Sequence, residues 1–160
     1  QLTRSLLSIG VKMPLIIEHH ITVAANQQQL WHVLTDFSQY KNWNPFVVDC
    51  ECEVVVGNEI IMQVVMGKGK PRRQVEYISK VEEGIHFSYT SPKKPPFLLR
   101  SYRSHSLQVL ADGNTRYQSR FELHGWLIPI LSRLLGSSLE QGFSAMGSAA
   151  VAEAERIAQL

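Results

Sequence analysis

From Ile128 onward the residues Ile128, Leu131, Leu135, Leu139, Phe143, Met146, Ala150, Ala154 and Ile157 follow one another at steps of three or four. That spacing holds them on one side of a helix about 30 residues long. Arg133, Glu140, Glu155 and Arg156 fall off the stripe and Glu153 lies at its edge, while Gly136, Gly142 and Gly147 lower the intrinsic helix propensity. A helix this long with one apolar stripe needs a broad apolar surface to lie on. The rest of the chain has to supply it.

The preceding residues change period. Residues 47–56, 59–66, 74–81, 85–91, 101–110 and 115–124 read as extended segments, separated by GN, GKGKP, EEG, SPKKPPF and DGN, which are hairpin or loop signals. Six consecutive strands so joined form an antiparallel meander, and the β-branched stretch 16–23 adds a seventh. Between the first strand and the meander, Asn26 is a suitable N-cap for a helix carrying Leu30, Val33 and Leu34 on one stripe. Asp36 is expected to cap a second short helix, Phe37 to Asn42, which must stop before Pro45. The expected architecture is α+β: a seven-stranded antiparallel curved sheet wrapped around a long C-terminal helix, with two short helices between strands 1 and 2.

Composition narrows the class. A chain of 160 residues buries one substantial core, so a single domain over residues 14–160 is expected, with residues 1–13 read as a tail and Met13 as a candidate natural start. A net charge of +2 argues against a dedicated nucleic-acid partner. The most apolar segment, WLIPILSRLLG, is interrupted by Pro129 and Arg133 and falls short of the roughly 18 residues needed to span a bilayer. LLSIGV near the start is too short for a secretory signal and lacks a cleavage site after it. Cys50 and Cys52 share a strand face too closely for an ordinary disulfide, and the six His show no ligand spacing. The expectation is a cytoplasmic protein with reduced thiols, no metal and no cofactor, leaving room for transient contact with a membrane.

A twisted sheet curling around a helix cannot touch it everywhere, and the gap is a candidate cavity. Strand alternation places Arg103, His105, Leu107 and Val109 on one face, Tyr117, Ser119, Phe121 and Leu123 on another, and Ile85, Phe87 and Tyr89 together. With Leu135, Leu139, Phe143 and Met146 from the helix, they either line a ligand pocket or fill the core. The expected ligand-binding set is Phe87, Tyr89, Arg103, His105, Leu107, Tyr117, Phe121, Leu135, Leu139, Phe143 and Met146.

The phrase TVAANQQQLWHVLTDFSQYKNWNPF resembles the opening of the SRPBCC superfamily, the START-like helix-grip proteins that include birch-pollen-allergen-like and polyketide cyclase/dehydrase-like members. Trp31, Val33, Leu34, Thr35, Asp36, Phe37, Tyr40, Trp43, Asn44, Pro45 and Phe46 occupy the places of that family's pattern, although Ala25 is followed by Asn26 where proline is usual. HSLQVLADGNTRYQSRFELHGWLIPILSRLL, followed by GFSAMGSAA, resembles its last hairpin and terminal helix, so the likeness spans residues 16–158. It implies that the two short helices form a cradle supporting one end of the long helix. Phe37, Tyr40 and Trp43 then anchor that cradle, with Trp43 or Phe46 closing the cavity as the competing role.

In an up-and-down meander alternate loops share an end. Residues 67–73, 91–100 and 125–129 therefore lie together, bringing Lys68, Lys70, Arg72, Arg73, Lys93, Lys94 and Arg100 beside the apolar tip 95–99 and Trp126. Phe97, Leu98 and Trp126 are the expected cavity mouth, and the cations either attract an anionic head group or are ordinary solvated loop charges. The resemblance most generally implies binding of a hydrophobic small molecule: a lipid, an aromatic or a polyketide-like compound. The alternative is a polyketide cyclase, aromatase or dehydratase using the same cavity, with His105 for proton transfer, Arg103 for an oxyanion and Tyr117 beside them. No inward Asp or Glu is evident to orient His105. A third class, a partner-binding or chaperone-regulating module, would need an exposed apolar patch, and none shows beyond the loop tip. Oligomeric state is not legible.

Overall fold

The computed structural model describes residues 13–92 and 99–160. β1 (Leu15–Val23) leads to α1 (Gln27–Thr35), a 3-10 turn (Phe37–Gln39) and α2 (Tyr40–Trp43). β2 (Val47–Glu51), β3 (Glu59–Val64), β4 (Arg72–Glu82), β5 (His86–Thr90), β6 (Arg100–Val109) and β7 (Thr115–His124) follow, and α3 (Ile128–Ala158) closes the chain. The strands form one antiparallel sheet in the order β1-β7-β6-β5-β4-β3-β2. β1 thus crosses to pair with β7, from Leu15 opposite Leu123 to Val23 opposite Thr115.

Local chemistry sets the cradle. The Asn26 side chain accepts from the Gln29 backbone N–H at 2.9 Å while the Gln29 side chain accepts from the Asn26 N–H at 3.1 Å, a reciprocal cap that satisfies two otherwise orphaned donors. Asp36 does not cap the second helix with its side chain as expected; its carboxylate accepts the Ser38 hydroxyl at 2.6 Å. Phe37 and Tyr40 are buried edge to face with ring centroids 5.2 Å apart, and the Tyr40 hydroxyl donates to the Leu34 carbonyl at 2.7 Å. Asn44 then turns the chain into β2 by accepting from the N–H groups of Phe46 and Val47. Phe37 and Tyr40 therefore anchor the cradle, whereas Phe46 reaches across to meet Phe143 of α3 edge to face, centroids 4.9 Å apart.

Three sequence expectations need correction. The strand expected over 47–56 stops at Glu51, and Val55 and Val56 are exposed in the turn that follows. Ile85 does not join Phe87 and Tyr89 inside, because it belongs to the β4–β5 turn and is exposed; Val109, at the last position of β6, is exposed too. On α3 the stripe is buried unevenly: Phe143, Met146, Ala150 and Ala154 are covered, Leu131 and Leu139 are half-buried, and Leu135 is exposed. The helix packs against α1 and β1 along its second half and stands away from the sheet along its first.

Candidate functional site

Register arranges the inward side chains in rows across the sheet. One row contains Ser101 opposite Leu123, next to Glu76. The next contains Ile78, Tyr89, Arg103, Phe121 and Ile17. Beyond it come Phe87, His105 and Ser119, then Leu107 opposite Tyr117. The first half of α3 covers the first two rows without filling the space beneath, leaving a cavity of about 780 Å³, a size typical of small-molecule sites. Met62, Val64, Phe121, Leu131, Leu139 and Phe143 make most of its wall apolar, and it runs out to the exposed Arg72 and Arg73.

Tyr89, Arg103, Phe121, Leu135, Leu139 and Phe143 from the expected set line this cavity. Phe87, His105, Leu107, Tyr117 and Met146 lie deeper, in the rows capped by α1 and the second half of α3, where Trp31 and Phe37 pack edge-on against Phe87. His105 has no exposed surface; it stacks on Phe87 with centroids 4.5 Å apart, and its Nδ1 shares a 2.8 Å hydrogen bond with the Tyr117 hydroxyl. Burial, reinforced by the charge on Arg103, pushes its pKa well below the usual histidine value, so the ring is neutral. Burial likewise pushes the Tyr117 phenol up. Of the expected mouth residues, Trp126 is 68% exposed and is not part of the cavity wall, which Leu127 beside it joins, while Phe97 and Leu98 lie outside the described residues.

Two polar groups stand on the cavity floor. Arg103 is 2% exposed, with its guanidinium carbon 4.5 Å from the Phe143 ring centroid and Nη2 3.9 Å from Met146 Sδ. Its Nε and Nη1 are buried without a hydrogen bond among the described residues. The Tyr117 hydroxyl makes its short bond to His105 and also lies within polar reach of the guanidinium. Glu76 is 6% exposed; Oε1 accepts from Ser101 Oγ at 3.1 Å and Gln74 Nε2 at 3.3 Å, while Oε2 is buried and unpaired. Burial raises the Glu76 pKa, with the two hydrogen bonds and Arg103 opposing it. The carboxylate and the guanidinium form no ion pair; both residues line the cavity, and their unpaired atoms are sealed just beneath its floor.

Sequence reasoning passed over Glu76. Its strand offers Val75, Tyr77, Ser79 and Val81 as the more apolar alternation, which argues for Glu76 pointing out. A register shift between Ile78 and Lys80 breaks that alternation, and such bulges re-aim side chains. The only available signal was an acid immediately before an otherwise apolar stretch. Cys50 and Cys52 are free thiols whose pKa values burial pushes up, Cys52 to about 11, so neither is a ready nucleophile. Among the described residues no cluster of His, Cys, Asp or Glu could hold a metal ion, and no helix is long and apolar enough to cross a membrane.

The fold has many solved counterparts. The Zhui aromatase/cyclase from Streptomyces sp. R1128 superposes with a TM-score of 0.75 at 18% identity, over 90% of this chain and 95% of that one. A START superfamily protein from Mycobacterium smegmatis gives 0.66 at 16% identity, over 89% and 98%. Norcoclaurine synthase from Thalictrum flavum gives 0.69 at 15% identity, over 91% and 96%. At these identities the likeness is one of fold. No curated protein matches the chain in sequence. Residues 14–154 match the family described as polyketide cyclase / dehydrase and lipid transport, and with its half-open sheet gripping a terminal helix the chain belongs to that family.

Proposed function

We propose that this protein binds a hydrophobic small molecule, a lipid, aromatic or polyketide-like compound, carrying a hydrogen-bond-accepting oxygen at the end that enters first. The carrying observation is the pairing of an apolar cavity of about 780 Å³ with unsatisfied N–H groups on Arg103 at its floor. A buried donor without an acceptor is costly. A carbonyl or carboxylate oxygen at Arg103 removes that cost, while the apolar remainder of the guest covers Phe121, Leu131, Leu139 and Phe143. Native mass spectrometry of protein purified without added ligand tests this: a co-purifying apolar species bearing oxygen supports it. A clean apo mass, with no saturable uptake of a fluorescent fatty acid or aromatic probe, would sink it.

One observation favours a second reading, an enzyme of the cyclase or dehydratase type. Glu76 is a buried carboxyl with a raised pKa and a free oxygen in the same cavity as a cation. A carboxyl tuned upward by burial can exchange a proton with a bound ketone's α-carbon while a guanidinium holds the developing enolate oxygen. In this reading Glu76 and Arg103 carry the chemistry, and His105 and Tyr117 only support Arg103 from below. Turnover of a poly-β-ketone mimic that is lost in Glu76→Gln, with probe binding retained, would establish it.

A further inference from the structure

The molecule is electrically polarised along its strands. The turns at one end, residues 52–58, 83–85 and 110–114, contain Glu53, Glu83 and Asp112 and no Lys or Arg. At the opposite end, residues 65–73 contain Lys68, Lys70, Arg72 and Arg73, and residues 125–139 contain Arg133; neither segment has an acid. All five of these cations are exposed. This basic end is the one at which the cavity emerges, through Arg72, Arg73 and Leu127.

The same end carries an apolar ridge that packing does not account for. On α3, Leu127, Leu131, Leu135 and Leu139 face the cavity, whereas Ile130 and Leu134 take no part in its wall and are 58% and 71% exposed. Side chains four apart on a helix are neighbours, so Ile130, Leu134 and Ser138 form one row. That row runs onto the basic turn: a Cβ on Gly67 would lie 3.8 Å from Ser138 Oγ. Ser138 is therefore set against the turn that carries Lys68 and Lys70, with Leu134 one helical turn before it and Trp126 exposed just before the helix begins.

We propose that this end is a docking face for an anionic lipid bilayer, with Ile130 and Leu134 entering the headgroup region and the turn carrying Lys68, Lys70, Arg72 and Arg73 neutralising acidic headgroups. The charge pattern selects this occupant. A second copy would bring the two basic segments, residues 65–73, face to face and repel, whereas an anionic membrane offers opposite charge and an apolar layer in the same plane. Docked this way, the cavity opens onto the membrane, and an apolar guest passes between bilayer and cavity without crossing water.

The test is sedimentation of the full chain with phosphatidylcholine vesicles and with equimolar phosphatidylcholine/phosphatidylglycerol vesicles at low salt. The expected result is partition onto the anionic vesicles only, weakened by salt, and reduced about tenfold or more both in Lys68→Glu/Lys70→Glu and in Ile130→Glu/Leu134→Glu. All four side chains are exposed, so unchanged thermal midpoints verify that the variants are folded. Absence of partition, equal partition onto both vesicles, or wild-type partition by the Ile130→Glu/Leu134→Glu variant each overturns the proposal. So does a dimer that this variant dissociates, which would assign the ridge to a second copy. Ile130 and Leu134 stand outside the cavity wall, so probe uptake in solution distinguishes the two readings: loss of uptake with vesicle binding intact removes the ligand hypothesis alone.

Discussion

Arg103→Met is expected to make the empty protein more stable and the binding worse. Nε and Nη1 are buried and unpaired, and each such group costs on the order of 1–3 kcal/mol. The substitution forfeits the contact of the cation with the Phe143 ring at 4.5 Å, worth at most about 2 kcal/mol when desolvated. Methionine fills similar space with an adaptable apolar chain, so the net gain is about 2 kcal/mol. For a chain of this length that raises the thermal midpoint by roughly 4–8 °C. A ligand oxygen bound by a charged donor loses about 1.5–3 kcal/mol, so affinity falls about 10- to 150-fold. Differential scanning calorimetry of delipidated protein and fluorescence titration of one probe measure both quantities. A variant that melts below wild type and binds the probe equally well would refute the reasoning, since Arg103 would then be a structural residue with its donors satisfied.

His105 should make the fold acid-sensitive. Its native pKa is depressed below the unfolded value of about 6.5, so the stability it contributes is complete above that pH and is lost as pH falls. Between pH 8 and pH 5 the loss is at most about 2 kcal/mol, the limit set by the unfolded value, read as the difference in urea midpoints between wild type and His105→Gln. The raised Glu76 pKa acts in the opposite sense, its contribution fading as pH rises through the native value, and it cancels in that difference. Glycines on α3 should split in sign. A Cβ at Gly142 would sit 2.3 Å from the Phe46 ring, so Gly142→Ala displaces a buried ring that walls the cavity and destabilises by about 1–3 kcal/mol, whereas Gly136→Ala meets nothing within 4 Å and stabilises by up to about 1 kcal/mol; thermal melts report both. Leu135→Trp should narrow the cavity and lower probe uptake at least several-fold with little change in melting, because Leu135 is exposed over the cavity.

The architecture was legible because its signals are redundant. Five hairpin or loop breaks, the Asn26 cap and a stripe of nine apolar residues each point to the same fold, and no single misreading undoes it. The cavity was less legible because alternation says which face a side chain takes, not whether anything lies opposite. Arg103 and His105 share a face and stand two residues apart, and nothing in their pattern separates an open row from a filled one. The line between them is drawn by α1 and the 3-10 turn, whose Trp31 and Phe37 close over Phe87 in the row of His105 and not over the row of Arg103. Glu76 was hidden for another reason: a register shift in β4 exchanges the faces that period-two reading takes as fixed. The exposed Ile130 and Leu134 sit within an almost continuous apolar run, so composition gave no hint that two of its members face outward.

One property of the sequence does explain why the opening lies at the start of α3 and not at its end, and it is the order of side-chain sizes along the stripe. In the second half the buried positions beyond Met146 are Gly147, Ala150 and Ala154, small enough to let the helix lie close against β1 and α1; Gly147 has Ile21 Cδ1 only 3.4 Å from where its Cβ would be. In the first half the same stripe holds Leu131, Leu135, Leu139 and Phe143, which stand between helix and sheet as spacers. Phe143 stacks on Phe121 with centroids 4.6 Å apart and meets Phe46 edge to face at 4.9 Å, and this aromatic cluster is the fulcrum at which α3 departs from the sheet. A helix that is thin at one end of its buried face and thick at the other makes a wedge. Arg103, whose guanidinium lies over Phe143, is placed at the apex of that wedge, so the deep end of the cavity lies against a buried cation with two nitrogens unpaired among the described residues.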